Sequence, residues 1–528
     1  MITAFARRAR SWCSVLAVLA GLYASSHGCT GSPAPRVSTS APPAGAPAAD
    51  GVGDEPVDLS ITFDPRVTGE NGWVKLPRQI PLDLLGDVGA SILDVTAERL
   101  PLPQDDPMRG RWLEVMLGRA ALADTSLIID EATLCSPAVL VAVQKARPRR
   151  LLLSIPGGIS ARAVSCLRAL PAPRLYLAGC LYRSHRQNAC DGDAELDALA
   201  ADELVRQRVR GLAASLGPRA IASLGKLPVL EYLALSPGRA AALALFDLLP
   251  FDELSRVRYL AAEGENASGR VIDGRAARFV GQLHTLRWNG ELSRPIPAPC
   301  RLERVSASAL GADDVVALAA CTRLKELSTD TTRFDSAAPV AGFVELERLH
   351  LRHWKANDLA LLAGLGKLRG LSLPASAARD FSFVASMRHL TTVDLSQTSL
   401  DGLDAFRTLA SLEDLDVGFT AVADLSPLRS LTRLARLDLH ETKVVDITVV
   451  AQLTSLKELS ISSTRVADLR PLARHPSLEW VILYETSVAD VSALFTMPVL
   501  KRANIRRLAL PKDQVEQLRQ QLHGNVDE

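Results

Sequence analysis

One apolar phrase, L-x-x-L-x-L, returns through the second half of this chain at a fixed step of 22 residues. It reads Leu390-Thr-Thr-Val393-Asp-Leu395, then Leu412-Glu-Asp-Leu415-Asp-Val417 and Leu434-Ala-Arg-Leu437-Asp-Leu439. It continues as Leu456-Lys-Glu-Leu459-Ser-Ile461, Leu478-Glu-Trp-Val481-Ile-Leu483 and Leu500-Lys-Arg-Ala503-Asn-Ile505. The same step taken backwards meets Leu368, Leu346, Leu324 and Leu302. A hydroxyl keeps time with it at Thr398, Thr420, Thr442, Thr464 and Thr486. A unit this short cannot bury an apolar face alone, so the units must stack on one another as a solenoid.

The phrase places its second and third apolar residues on one side of a short strand, with the residue between them facing the other way. The threonine falls where the chain leaves the strand, and its hydroxyl can satisfy a buried backbone group of the turn. Asp424, Asp446, Asp468 and Asp490 recur at the same step and suit N-caps of a short helical or 3₁₀ segment. Pro427 and Pro471 fit its first turn. With that role filled, these aspartates are read as caps and not as a calcium site.

These residues resemble the leucine-rich repeat family, in the short 22-residue form found in internalins and in some phosphatase regulators. Threonine stands here where that family usually has asparagine. The regular match covers about 200 residues, from near Leu302 to Ile505. The resemblance implies an α/β solenoid: a right-handed leucine-rich-repeat horseshoe with a parallel concave β-sheet and short 3₁₀ or helical convex segments. It implies no particular ligand.

Ahead of the repeats the chain reads as an export arrangement. Arg7, Arg8 and Arg10 precede an apolar run from Trp12 to Ala24 that is short for a bilayer span. Ser26-His27-Gly28-Cys29 resembles a bacterial lipoprotein processing site with Cys29 as the lipidated residue, departing from it at Ser26 and His27. Secretion without lipid is the alternative. Residues 31–56, rich in Ala, Pro, Gly and Ser, read as a tether. The expected organisation is a signal peptide over 1–28, a tether over 29–56, irregular repeats over 57–301, regular repeats over 302–507 and a capping helix over 508–528. In that last helix Val515, Leu518 and Leu522 share a face and Asp513 is placed to cap the start.

Between 57 and 301 the pattern loosens. Leu59, Ile61 and Phe63 alternate as in a half-buried strand. Leu-rich phrases open near Leu127, Leu151, Leu175, Leu230, Leu254 and Leu283. The long gap from Leu175 to Leu230 reads as an insertion containing a polar loop and one helix over Ala194 to Leu216. A separate α/β domain from Val57 to Gly217 is the rival reading.

The cysteines are consistent with export. Cys180 and Cys190 flank a polar loop around His185 and form a candidate disulfide. Cys300 and Cys321, almost one repeat apart, read either as a second bridge or, for Cys321, as core packing. Cys135 and Cys166 read as small buried apolar residues. Cys180, His185, Cys190 and Asp191 lack paired C-x-x-C spacing, so no metal site is expected.

No catalytic signature holds. His440-Glu441 begins like a zinc-protease helix without its second histidine, and Gly364-Leu-Gly366-Lys367 falls short of a phosphate loop. A net charge of +1 gives no basic footprint for nucleic acid. The repeat does predict the concave face, where Asp394, Asp416 and Asp438 fall on consecutive strands. Adjacent pairs repel by about 1 kcal/mol even in a water-like dielectric. They form either an acidic stripe for a basic peptide or a cation, or a solvated face on which Arg436 neutralises Asp416 and Asp438 diagonally. Asp414 and His440 join this surface, with Phe419, Trp480 and Tyr484 as aromatic anchors. Trp480 either covers a partner or packs on the stems of Glu458 or Arg502.

The reading is a non-catalytic, protein-binding repeat protein. It is exported and lipid-anchored at a bacterial outer membrane, periplasm or cell surface, with no cofactor, no nucleic acid and membrane contact through the anchor alone. The alternatives are an enzyme with its site in 57–217, a cytosolic phosphatase-regulator-like subunit, and a structural envelope protein.

Overall fold

Each regular phrase lays down one short strand. Thr392–Asp394, Asp414–Asp416, Arg436–Asp438, Glu458–Ser460, Trp480–Ile482 and Arg502–Asn504 follow one another. They pair in parallel with no slip, Thr392 opposite Asp414, Asp414 opposite Arg436 and Arg436 opposite Glu458. The computed structural model describes residues 91–94, 113, 117, 125–155, 157–179, 192–214, 216–235, 248–262, 274–288, 291–292 and 294–528. The expected signal peptide, Cys29, the tether, the strand near Leu59 and the Cys180–Cys190 loop with His185 lie outside them.

The described residues form a leucine-rich-repeat solenoid. Their 19 strands build one sheet, every strand parallel to the next in sequence. The leucines that open the phrases, from Leu302 to Leu478, are buried between the sheet and the return segments. Each contributes roughly 1.5–3 kcal/mol of hydrophobic burial.

The threonines turn the chain as expected. Each Oγ donates to the carbonyl three residues back: Thr398 to Leu395, Thr420 to Val417, Thr442 to Leu439 and Thr464 to Ile461, all at 2.6 Å. The residue just before each threonine is left-handed, and none is glycine: Gln397, Phe419, Glu441, Ser463 and Glu485 have φ between 52° and 59°. Each such residue costs about 1 kcal/mol. The bend is held because the left-handed amide donates to the next repeat, as Gln397 does to Gly418 at 2.8 Å and Phe419 to His440 at 2.7 Å. Asp424, Asp446, Asp468 and Asp490 then accept the amide two residues on at 2.8–2.9 Å, opening the 3₁₀ return. Pro427 and Pro471 stand in its first turn.

The irregular half joins the same sheet with changing steps. Thr285 faces Arg304, 19 residues on, whereas Tyr176 faces Gly211, 35 residues on. Its returns include α-helices at Pro137–Ala146, Ala161–Ala169 and Gly274–Gln282. The single helix expected over Ala194 to Leu216 is instead two helices, Gly192–Ala201 and Glu203–Arg206, and then the strand Val209–Ala214. The Asp202 side chain accepts the Val205 amide at 3.1 Å and starts the second helix. Val209 and Leu212 are three apart, a helical spacing, yet both are buried in the sheet because the register shifts by one residue there. The long gap therefore contains a repeat strand.

Four smaller expectations are corrected. Tyr232 pairs with Tyr259, so Val257 rather than Leu254 opens that repeat. The helix Lys512–Gln521 starts after Pro511 with Asp513 inside its first turn, where the charge suits the helix N-terminus. Leu518 and Leu522 are buried while Val515 is only half-buried, and a further strand, Val526–Asp527, pairs beyond Arg502–Asn504. Among the described residues, two disulfides link neighbouring returns: Cys300–Cys321, with Cα atoms 4.8 Å apart, and Cys135–Cys166, at 5.2 Å. The second replaces the packing role expected of Cys135 and Cys166, both of them half-buried.

Candidate functional site on the concave sheet

The 22-residue register turns positions distant in sequence into columns on the exposed side of the sheet. One column runs His350, Ser372, Asp394, Asp416, Asp438 and Ser460, each opposite the next. Its upper part is a hydrogen-bonded chain. His350 Nδ1 lies 2.7 Å from Ser372 Oγ, which donates to Asp394 Oδ2 at 2.8 Å. Asp394 Oδ1 also accepts from the Ser396 amide and hydroxyl, at 3.0 and 2.7 Å. Serine stands between histidine and aspartate here, so its proton points at the carboxylate. A hydrolytic triad needs the imidazole in the middle.

Lower in the column the groups crowd. Asp416 Oδ1 accepts the Gly418 amide at 2.9 Å, and Asp438 Oδ1 accepts both the amide and Nδ1 of His440, at 3.0 and 2.9 Å. The imidazole lies over Gly418, where a Cβ would come within 2.4 Å of Nδ1. Only glycine leaves that room. On its other side the ring meets Phe419 edge-on, centroids 4.3 Å apart. Donor atoms of Asp416, Asp438 and His440 come within 4.8 Å of one another.

Electrostatics separates the two acids. Burial, and then the negative charge of Asp438, push the Asp416 carboxyl up to about 7. Burial also opposes the charge on Asp438, but the hydrogen bond and charge of His440 outweigh it and hold its carboxyl below the usual range. His440 is raised in turn: burial disfavours its charge, and Asp438 more than offsets that.

The structure places Arg436 differently, and it sets Trp480 against Arg502, one of the packings open to it. Arg436 does not neutralise Asp416 and Asp438 diagonally, because it engages Asp414 directly across the strands, Nε to Oδ2 2.9 Å. Directly opposed positions lie closer than diagonal ones, so the neighbouring column takes the guanidinium. Trp480 carries the Arg502 guanidinium 5.0 Å above its ring, and Tyr484 carries Arg507 at 5.3 Å. Both aromatics thus sit under a cation from the following repeat, outside the Asp–His cluster. His440-Glu441 forms no helix, since Glu441 is one of the left-handed residues.

The period brought Asp416 and Asp438 onto one stripe, read as open to a basic peptide or a cation, and His440 onto the same surface, but it did not show that the imidazole meets Asp438 and lies over Gly418. The signal was present: two aspartates one repeat apart, and a histidine two residues after the second. In the irregular half the corresponding columns are apolar over the strands Tyr232–Leu235 and Tyr259–Ala262. Tyr232 and Tyr259 stack at 3.9 Å, and Ala213, Ala234 and Ala261 are buried beside them.

No protein-family model and no curated protein matches this chain. Solved structures do resemble it. An internalin from Listeria monocytogenes is 18% identical over 65% of this chain and 88% of its own, with a TM-score of 0.42. A leucine-rich-repeat protein of Leptospira interrogans is 16% identical over 62% and 92%, with a TM-score of 0.48. A plant peptide hormone receptor, solved in complex with RGF2, is 16% identical over 73% and 66%, with a TM-score of 0.41. At these scores the functional reading rests on the geometry of the chain itself.

Proposed function

We propose that this chain is an exported, lipid-anchored recognition protein that binds a protein partner across its concave sheet. The observation that carries the reading is the strip of neighbouring columns between Asp394 and Tyr484. Acidic groups and cation-capped aromatic rings are held there at a fixed pitch on a hydrogen-bonded sheet. Such a surface is extended and preorganised, which favours a polypeptide over a small molecule that needs an enclosing pocket. The His350–Ser372–Asp394 order argues against reading the column as a hydrolase. The Cys135–Cys166 and Cys300–Cys321 bridges support an oxidising compartment over a cytosolic regulatory subunit. Anchoring through Cys29 follows from the lipoprotein-like segment and is part of the proposal.

Two experiments test it. The intact mass of protein from the native membrane fraction should match an acylated chain beginning at Cys29; an unlipidated or uncleaved chain removes the anchor. The combined Asp416→Asn and Trp480→Ala variant should bind its partner at least about tenfold more weakly, the size expected when central contacts are truncated. Unchanged affinity in a folded variant would move the interface off this face.

A further inference from the structure

Several acidic groups on the stack meet a cation from a neighbouring repeat. Glu303 meets Lys325, Glu345 meets Lys367, Glu413 meets Arg433, Asp414 meets Arg436 and Glu479 meets Lys501. Asp416 and Asp438 differ from these pairs. Among the described residues neither is paired with a lysine or an arginine, and the nearest basic group is the His440 imidazole on Asp438. Two carboxylates and an imidazole, from adjacent strands of a rigid ladder, thus converge with their donor atoms within 4.8 Å of one another.

We propose that Asp416, Asp438 and His440 bind a divalent transition-metal cation, zinc(II) being the best match. The donor set is mixed, and that separates it from a simple acidic patch. An imidazole beside two carboxylates suits zinc, whereas calcium and magnesium prefer oxygen donors alone and more of them. Gly418 is the second structural element of the site, because its missing side chain is what lets the imidazole lie across the neighbouring strand toward Asp416. A doubly charged ion between the carboxylates replaces their repulsion with attraction to both. Zinc–ligand distances of about 2.0–2.2 Å require the three side chains to close on the ion, with His440 exchanging its hydrogen bond to Asp438 for the metal. Three protein ligands leave at least one coordination position open on the concave side, for water or for a carboxylate of a bound protein. The site binds its ion whether or not the partner reading holds, since all three donors belong to this chain.

Calorimetric titration of the chelator-treated full chain with zinc chloride at pH 7.5 tests the proposal. One ion per chain is expected, with millimolar magnesium failing to compete. Asp416→Asn and His440→Ala should each weaken binding by about 100-fold or more, since even indirect supports of a metal site are worth 10–100-fold. Gly418→Ala removes no donor but displaces the imidazole, so it should weaken binding as well. Thermal melts of the zinc-free variants show whether each is folded, and Gly418→Ala with Asp416→Asn suffices should His440→Ala fail. Absence of saturable binding in the wild type would overturn the proposal. So would equal affinity in the folded variants, which would place the ion on other histidines.

Discussion

Residues 125–301 and 302–507 share one parallel sheet but close their repeats and finish their concave surfaces differently. From Leu390 on, the regular half leaves each strand at a turn held by a threonine hydroxyl and returns through a short 3₁₀ turn, opened in several repeats by an aspartate. The irregular half uses α-helical returns of varying length, and neighbouring returns are stapled by Cys135–Cys166 and, at the junction, by Cys300–Cys321. On the exposed side, acids occupy the positions where the irregular half has tyrosine and alanine. The ladder is fixed by the buried leucines and by the hydrogen bonds of the turns, so the residues between the leucines can specify a surface. The comparison also shows that the return segment can lengthen without breaking the sheet, provided the strand regains its register.

The largest test of that common core is a matched pair of truncations, Leu415→Ala in the regular half and Leu233→Ala in the irregular half. Both side chains are fully buried. Each should lose about 2–5 kcal/mol in urea unfolding. A cost below about 1 kcal/mol at Leu233 would break the equivalence of the two halves. Replacing Cys135 and Cys166 by serine should cost about 3 kcal/mol. Amide exchange should speed up near 125–178 and stay unchanged over 390–505; a uniform change would mean the staple serves the whole stack. Thr442→Val should cost about 0.5–1.5 kcal/mol, measured by denaturant midpoint, because the Leu439 carbonyl loses the hydroxyl and keeps only the longer bond from the residue 442 amide, 3.2 Å.

The smallest expected effect is pH-dependent. His475 occupies the column that holds Leu431 and Leu453 in the preceding repeats, and its Nδ1 accepts the Leu478 amide at 3.2 Å. Burial holds its pKa below the ordinary histidine value. The folded state therefore binds fewer protons than the unfolded one, and this contribution, full above the unfolded pKa near 6.5, is lost as pH falls through it. Melting temperatures between pH 7.5 and 5 should fall less for His475→Leu than for the wild type. Parallel curves would show that His475 stays neutral or is already solvated.

Much of this was legible in the sequence. The period, the strand positions, the threonine and aspartate roles and the terminal helix follow from spacing that local chemistry enforces. The strand Val209–Ala214 was not, because a bulge made its buried residues look helical. Nor was Cys135–Cys166, because the irregular step hides which returns are neighbours. At the candidate site the concave column itself was readable from the period. Partner choice within it was not: which carboxylate takes Arg436, and which takes His440, depends on direct against diagonal reach and on the space left by Gly418.

The claim that the concave sheet is the recognition surface is tested most directly by photo-crosslinking from its two sides in the native envelope. A photoreactive residue at Thr392, exposed on the sheet, is compared with one at Arg470, exposed on the 3₁₀ side. The account predicts one discrete adduct from position 392, competed away by purified wild-type protein but not by the Asp416→Asn, Trp480→Ala variant, and none from 470. The same adduct from 470, or from 470 alone, would contradict it.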